Sequence, residues 1–164
     1  MGQRELMLVL GALTIFGLTT LTTSQYVASQ NDAMLQHEFE YFAASLAQGY
    51  LEEAKQMAFD QNVVNNTPGS LPSGFTGAGS LGPGGGESYG TFDDVDDFNG
   101  HSETISSGPG DFIVNVGVGY VNEATPDSTM ASTKSFYKKM TVTVTNDMLA
   151  YPVRVSHVFG YIKN

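Results

Sequence analysis

The sequence predicts an α+β fold. A long N-terminal α-helix, hydrophobic in its first half and amphipathic in its second, packs on a small C-terminal antiparallel β-sheet. Residues 6–23 contain no charged side chain, residues 24–60 repeat apolar positions at helical spacing, and residues 112–161 alternate apolar and polar positions in three runs. Helix and strand patterns that are segregated in this way are typical of α+β domains.

The same patterns divide the chain into four segments. Residues 1–24 form a hydrophobic helix that needs lipid or protein around it, and residues 25–62 form the amphipathic helix of a globular head. Residues 63–111 are a loop region rich in glycine, proline and aspartate, and residues 112–164 supply the sheet of the head. A chain of 164 residues has room for one such core and one appended element.

Composition excludes two classes of function. Seven basic and seventeen acidic residues give a net charge of −10, whereas a nucleic-acid-binding protein needs a basic surface. The chain has no cysteine, so it can form neither disulfides nor thiolate zinc sites. We therefore expect no nucleic-acid partner and no cysteine-based metal site.

The hydrophobic segment has three interpretations. The segment is barely long enough to span a bilayer as a helix, which takes about 20 residues. A cleavable signal peptide fits poorly, because Glu5 cancels the charge of Arg4 and residues 27–29 lie too far beyond the apolar run for a cleavage site. A single-pass anchor and a helix that polymerises with other copies are the remaining interpretations, and Glu5 distinguishes them.

Glu5 stands at the edge of the apolar run, where a carboxylate is costly in lipid unless a cation pairs with it. The α-amino group of a neighbouring copy is cationic at neutral pH and can form that pair. A charge that only a second copy satisfies leaves the single subunit incomplete. Such an arrangement favours polymerisation in a fixed register.

The run from Glu5 to Leu10 resembles the N-terminus of mature type IV pilins and of the related pseudopilins, in which a glutamate is fifth and a helix of small and aliphatic residues follows. The resemblance implies the pilin fold, a leader removed by a prepilin peptidase, and an N-methyl group on Met1. It also implies that Glu5 pairs with the Met1 amine of a neighbouring subunit. The assembly residues implied are Met1, Glu5, Leu6, Met7, Leu8, Val9, Leu10, Leu13 and Phe16.

The segment departs from the pilin pattern in two places. Gln3 and Arg4 are polar where the family usually has apolar residues, and Thr22 stands where many pilins carry a helix-kinking proline. Gly11, Gly17 and a run of threonines still weaken the helix, since glycine costs about 1 kcal/mol relative to alanine in a helix interior. Two outcomes are open in a filament: part of residues 11–23 extends, or packed neighbours keep the helix intact.

The second half of the helix carries one apolar stripe, and charged residues lie mostly on its other faces. A stripe with spacings of three and four residues is the face that packs under a sheet. Its members are Leu35, Phe39, Phe42, Leu46, Tyr50, Ala54 and Met57.

A loop rich in glycine, proline and serine follows at residues 65–90. Loops of this length are uncommon in compact domains unless they have a role, and in a pilin this segment tends to lie on the filament surface. Asn65 begins an Asn-Asn-Thr glycosylation sequon, which is a weak three-residue signal.

An acidic run at residues 93–99 has two interpretations. Its oxygens suit calcium, a hard cation, although the spacing does not match an EF-hand loop. Alternatively, the aspartates cap turns through their own side chains while Val95 and Phe98 enter the core. The structural interpretation is the stronger one, so we expect no cofactor, with calcium as the weaker alternative. The calcium candidates are Asp93, Asp94, Asp96, Asp97 and Asn99.

Three strands are predicted near the C-terminus. Apolar residues alternate with polar residues or glycine over residues 112–120, 140–145 and 153–161. The connection between the last two runs is short, which favours a hairpin. These strands form the antiparallel sheet of the head.

The sequence offers little material for catalysis. The three histidines, His37, His101 and His157, show no ligand spacing, and residues 82–86 lack the lysine and the context of a phosphate-binding loop. We therefore predict that the protein is not an enzyme.

The function predicted is that of a structural subunit of an extracellular type IV pilus-like filament, a helical polymer of this chain. Residues 6–23 hold the subunit in the inner membrane before assembly, and the partners are other copies, the pilus assembly machinery and the prepilin peptidase. Adhesion, motility, DNA uptake and secretion all use this architecture. The alternatives are a type II secretion pseudopilin and a membrane-anchored binding protein that does not polymerise.

Overall fold

The computed structural model describes residues 2–65, 69–108 and 110–162, apart from the side chain of Asp32. Contacts divide the chain into two compact units, Met1–Phe39 and Glu40–Asn164, and we call the second unit the head. The α+β fold predicted from the sequence is confirmed, with a long N-terminal helix and an antiparallel sheet.

Helix α1 runs without interruption over Gln3–Ala54. The hydroxyls of Thr14, Thr19, Thr20, Thr22 and Thr23 all donate to carbonyl oxygens three or four residues earlier. These bonds satisfy the polar groups of an otherwise apolar segment. Extension of residues 11–23 in a filament stays a prediction, because it concerns an assembled state.

The helix ends earlier than its predicted limit of residues 60–62. Ala58 lies in a bridge with Asp94, and the extended backbone of Asp60 caps the short helix α2, Gln61–Val64. An N-cap aspartate has non-helical backbone angles, since its side chain bonds the first free N–H groups of the next helix. The Asp60 carboxylate accepts such a bond from Asn62, so residue 60 begins a new helix and does not continue the first one.

The sheet contains five antiparallel strands. Strands β1, β2, β4 and β5 lie side by side in that order, and β3 pairs with the end of β2. Registers such as Val116 opposite Val142 and Met140 opposite His157 place the apolar positions on one face. The strands are β1 (Ser102–Ser107), β2 (Gly110–Asn122), β3 (Thr125–Thr129), β4 (Tyr137–Thr145) and β5 (Val153–Gly160).

The three predicted strands correspond to β2, β4 and β5, and the predicted hairpin of the last two is confirmed. The sequence missed β1, which was assigned to the loop region, and β3. Both are short and polar, and every residue of β3 is exposed, so neither shows a clear apolar alternation. Two single 3-10 turns, Ala78–Ser80 and Asp96–Phe98, also lie within the predicted loop region.

The core of the head lies between the end of α1 and one face of the sheet. Phe42 contacts Phe112 of β2, with ring centroids 4.8 Å apart. The predicted stripe is correct in part: Tyr50 and Ala54 are buried, whereas Leu35 is exposed. The buried apolar residues of the helix and of the two central strands are Ala43, Ala47, Tyr50, Leu51, Ala54, Phe112, Val114, Val116, Val118, Tyr120, Val121, Met140, Val142 and Val144.

Two methionines give a matched test of this core. Met140 is fully buried on β4, whereas Met148 is 65 % exposed. Met140→Ala should lower the free energy of unfolding by about 2–5 kcal/mol, because it removes buried apolar surface and leaves a cavity. Met148→Ala should change it by less than about 0.5 kcal/mol. Urea unfolding in detergent, followed by circular dichroism, measures both; equal effects would contradict the assigned core.

Candidate functional site

The first half of α1 is apolar around its whole circumference. Residues 6–10 are all exposed, although five consecutive helical residues point in every direction. This helix is long and apolar enough to cross a membrane, and the described part of the chain buries none of its most apolar stretch. A helix that is apolar on all sides is stable only when lipid or protein covers it. The exposed members also include Leu13, Ile15, Phe16, Leu18, Leu21, Tyr26 and Val27.

Glu5 caps its own helix in the single chain. Its Oε2 accepts a hydrogen bond from the N–H of Gly2 at 3.0 Å, while its N–H donates to the Gly2 carbonyl at 2.9 Å. The side-chain bond is the glutamate half of a capping box, in which the third helical residue satisfies a free N–H group at the helix start; Gly2 has no side chain to supply the other half. The structure therefore gives Glu5 a role before any partner arrives. Met1 lies outside the described residues.

Gly11 and Gly17 leave bare backbone on this apolar helix. A Cβ atom added at either position would meet nothing within 4 Å. Small residues on helices surrounded by lipid let the backbone of a second helix approach closely. The structure thus brings the predicted assembly residues Leu6, Leu13 and Phe16 together with two close-approach positions on one exposed helix.

The acidic run folds as the structural interpretation predicts. Val95 and Phe98 are buried in the core. Oδ1 of Asp94 accepts bonds from the N–H groups of Asp96 and Asp97, at 2.7 and 3.3 Å. Oδ2 of Asp97 accepts two more, from residues 93 and 94. The aspartates therefore form a turn by hydrogen bonding to their own backbone.

Asn99, another calcium candidate, is also engaged. Asn99 donates to the Leu81 carbonyl at 3.0 Å and accepts from the N–H of Val118 at 2.9 Å. Carboxylate oxygens of Glu87, Asp93 and Asp97 lie within 4.8 Å of one another, and Glu87 was not predicted. Backbone N–H groups already hold Glu87 and Asp97, so we assign no metal site here.

A buried charge cluster lies beside this turn. Lys138 is fully buried, and its Nζ donates to Oδ2 of Asp60 at 2.8 Å, to Oδ1 of Asp96, and to the Phe59 carbonyl at 2.7 Å. The Nζ also lies 4.6 Å from the centroid of the Phe59 ring and 5.2 Å from that of Tyr120. One lysine thus joins three segments: the chain after α1, the acidic turn and strand β4.

Asp60 has donors other than the lysine. Its carboxylate accepts from the N–H of Asn62, and from the N–H and hydroxyl of Thr76, at 2.9–3.1 Å. Burial alone would raise the pKa of Asp60. Its hydrogen bond to Lys138, the charge of that lysine and the backbone donors together lower the pKa instead. Asp60 is therefore ionised at neutral pH.

Asp94, unlike Asp60, is protonated at neutral pH. Burial, and then the neighbouring Asp96 carboxylate, raises the pKa of Asp94 from 3.8 to about 9. Its Oδ2 is buried and has no hydrogen-bond partner within the described ranges. A protonated carboxyl group therefore stands next to the pair formed by Asp96 and Lys138.

Sequence reasoning missed Lys138 and Asp60. The signal for Lys138 was present, because residue 138 continues the two-residue alternation of Met140, Val142 and Val144 toward the buried face. A lysine at an inward position requires a buried carboxylate as a partner. No comparable pattern identifies Asp60, whose position depends on where the first helix ends.

The histidines occupy structural positions. His101 stacks on Tyr89 with ring centroids 4.6 Å apart, and its Nε2 lies 3.5 Å from Glu103. His157 packs against the edge of the Phe159 ring. The sequon at Asn65 continues into residues 66 and 67, which lie outside the described residues.

Comparison with known proteins adds no relative. No family model matches the chain, and neither the curated proteins nor the solved structures contain a match.

The titration of Asp94 predicts a pH effect on stability. The folded chain holds this proton more tightly than the unfolded chain, so the stabilisation is complete below about pH 4 and is lost as the pH rises toward about 9. Asp94→Asn should reduce that decline, because the amide is neutral at every pH and keeps the Oδ1 acceptor. Urea unfolding at several pH values in this range measures the slope.

Asp93→Asn is the matched control, since Asp93 is an exposed aspartate in the same turn. It should keep the wild-type pH dependence. An Asp94→Asn chain whose stability falls as steeply as the wild type would contradict the assignment of the proton to Asp94.

Proposed function

We propose that this protein is the structural subunit of an extracellular pilus-like filament that polymerises through the first half of α1. The observation that carries the proposal is the all-round apolar surface of residues 6–21, which no part of the chain covers among the described residues. Before assembly, lipid of the inner membrane covers it. In the filament, the same surface packs on the helices of other copies.

Glu5 fixes how far one helix is shifted along its neighbour in this packing. In the single chain its carboxylate bonds to the N–H of Gly2, a neutral donor. The N-terminal amine of a neighbouring copy carries a full positive charge, and a carboxylate attracts a full opposite charge more strongly than a neutral N–H group where the dielectric constant is low. Exchange of the internal cap for the neighbour's amine favours the assembled state where both groups are removed from water.

A membrane-anchored binding protein that does not polymerise is the second candidate. The capping bond of Glu5 favours it, because this bond explains the carboxylate without a partner. The two candidates differ in what the charge of Glu5 does. In the anchor, a neutral side chain that caps the helix is sufficient, whereas the filament needs the negative charge.

The head carries the surface that the filament would present to its surroundings. The chain has a net charge of −10, and residues 83–91 of the loop between α2 and β1 are largely exposed and rich in glycine. Adhesion, motility, DNA uptake and secretion are compatible with this surface, and so is a short pseudopilus, since fold alone does not select a function. The proposal therefore concerns assembly.

Glu5→Gln tests the assembly proposal, because glutamine keeps the carbonyl oxygen that caps Gly2 and loses the charge. We expect the variant to reach the membrane fraction at wild-type level and to yield at least about tenfold fewer filaments. An unpaired amine buried in the packed helices costs about 3–5 kcal/mol, which exceeds the 1.4 kcal/mol that corresponds to a factor of ten. Immunoblots of sheared-filament and membrane fractions measure both quantities.

Glu38→Gln is the matched control, since Glu38 is an exposed glutamate on the same helix beyond the apolar segment. It should leave the filament yield unchanged. Wild-type filaments from the Glu5→Gln chain, together with loss of helix or membrane level in Glu5→Ala, would show that Glu5 only caps the helix and would favour the anchored protein.

A further inference from the structure

Lys138 carries an amine and Asp96 a carboxyl group, the two groups from which an amide bond forms. The fold holds these groups in contact in its buried interior. Lys138 is fully buried and Asp96 is 1 % exposed. The Nζ of the lysine donates a hydrogen bond directly to Oδ1 of the aspartate. Fixed contact between two reacting groups removes most of the entropy cost of bringing them together.

Burial also changes whether the separate ions or their amide product is favoured. In water an ammonium and a carboxylate are well solvated, so they do not condense. In this site both ions have lost their water, and a buried ion pair often fails to recover that desolvation cost. A neutral amide has no such cost, so the environment destabilises the separate ions relative to their condensation product.

We propose that Lys138 and Asp96 join in an intramolecular isopeptide bond that forms spontaneously when the head folds. The only other product is one molecule of water, and no oxidant, cofactor or second protein is required. The reaction takes place within one chain, where the amine of Lys138 condenses with the carboxylic acid of Asp96.

The atoms and charges balance in three steps. The Lys138 ammonium first passes a proton to the Asp96 carboxylate in contact with it, which gives a neutral amine and a neutral acid. The Nζ lone pair then attacks Cγ of Asp96, and the C–N bond forms. Finally the C–O bond breaks, the hydroxyl leaves as water after it receives a proton, and Nζ gives up one proton.

We assign the transfer of the last two protons to Asp94, the buried carboxyl group beside Asp96. Its carboxyl group neighbours Asp96, and its buried Oδ2 has no hydrogen-bond partner in the described part of the chain. Burial, and then the charge of Asp96, keeps this group protonated at neutral pH. It can therefore give its proton to the leaving hydroxyl and take one back from Nζ, so that it ends unchanged.

Asp96 is a better acyl partner than Asp60, although both contact the lysine. Asp60 keeps three donors from Asn62 and Thr76 when the ammonium charge disappears, so it remains a satisfied carboxylate. Among the described residues, the donor that contacts the Asp96 side chain is Lys138. Conversion of Asp96 to an amide therefore leaves no buried charge without donors.

The bond would connect the acidic turn to central strand β4. It would close a covalent loop between residues 96 and 138 and restrict the unfolded chain, as a disulfide does, in a protein without cysteine. This inference does not rest on filament formation, because it concerns the folded head of a single chain.

Intact mass spectrometry of the purified full-length chain, unfolded before injection, tests the proposal. After correction for any N-terminal modification, the expected mass is lower than the sequence mass by one water molecule. Tandem spectra of a digest should contain a branched peptide that joins Lys138 to Asp96, and trypsin should fail to cut after Lys138.

Three variants define the chemistry. Lys138→Arg keeps a cation at the site without an amine that condenses, so its chain should have the full sequence mass. Asp94→Asn should leave a larger fraction of chains at full mass, because the proton carrier is lost. Lys139→Arg is the matched control, since Lys139 is the adjacent lysine and pairs with exposed Asp127; its chain should lack one water, as the wild type does.

A wild-type chain of full sequence mass, with Lys138 open to trypsin and to amine reagents after unfolding, would overturn the proposal and leave a buried ion pair. A water loss located at another residue would also overturn it. A branch from Lys138 to Asp60 would overturn the assignment of Asp96. None of these outcomes bears on the filament assay of Glu5.

Discussion

The apolar circumference of the first half of α1 is the constraint on which the rest of the architecture depends. Residues 6–10 expose large side chains in every direction, so this segment must lie in lipid or among other helices. Threonine hydroxyls that bond to their own helix allow polar residues to stay in that environment. The charged side chains are concentrated beyond this segment, mainly in the head.

The head is held together by apolar packing and by the contacts of one buried lysine. Tyr50, Phe112 and Met140 are among the side chains that fill the space between helix and sheet. Lys138 then joins the chain after the helix, the acidic turn and β4, through Asp60 and Asp96. Because a buried ion left without its partner is strongly destabilising, these three segments must come together correctly or the fold is lost.

The sequence predicted the elements that have clear periodicity. The helix, the three longest strands and the burial of Val95 and Phe98 follow from spacings of 3.6 and two residues. Short polar strands such as β1 carry no such signal. The end of α1 was placed too late, because the apolar spacing continues beyond Ala54 and gives no sign that Asp60 caps a separate helix.

The candidate sites likewise combine features that the sequence shows with features that only the structure shows. The apolar surface and Glu5 were visible in the sequence, since position and composition alone define them. The internal cap between Glu5 and Gly2, and the meeting of Lys138 with two aspartates from distant segments, depend on three-dimensional geometry.

Electron microscopy of filaments sheared from the source cells, with mass spectrometry of their main protein, tests the central claim most directly. The account predicts filaments built from this chain; a chain found only in the membrane fraction, with no filament containing it, would contradict the account.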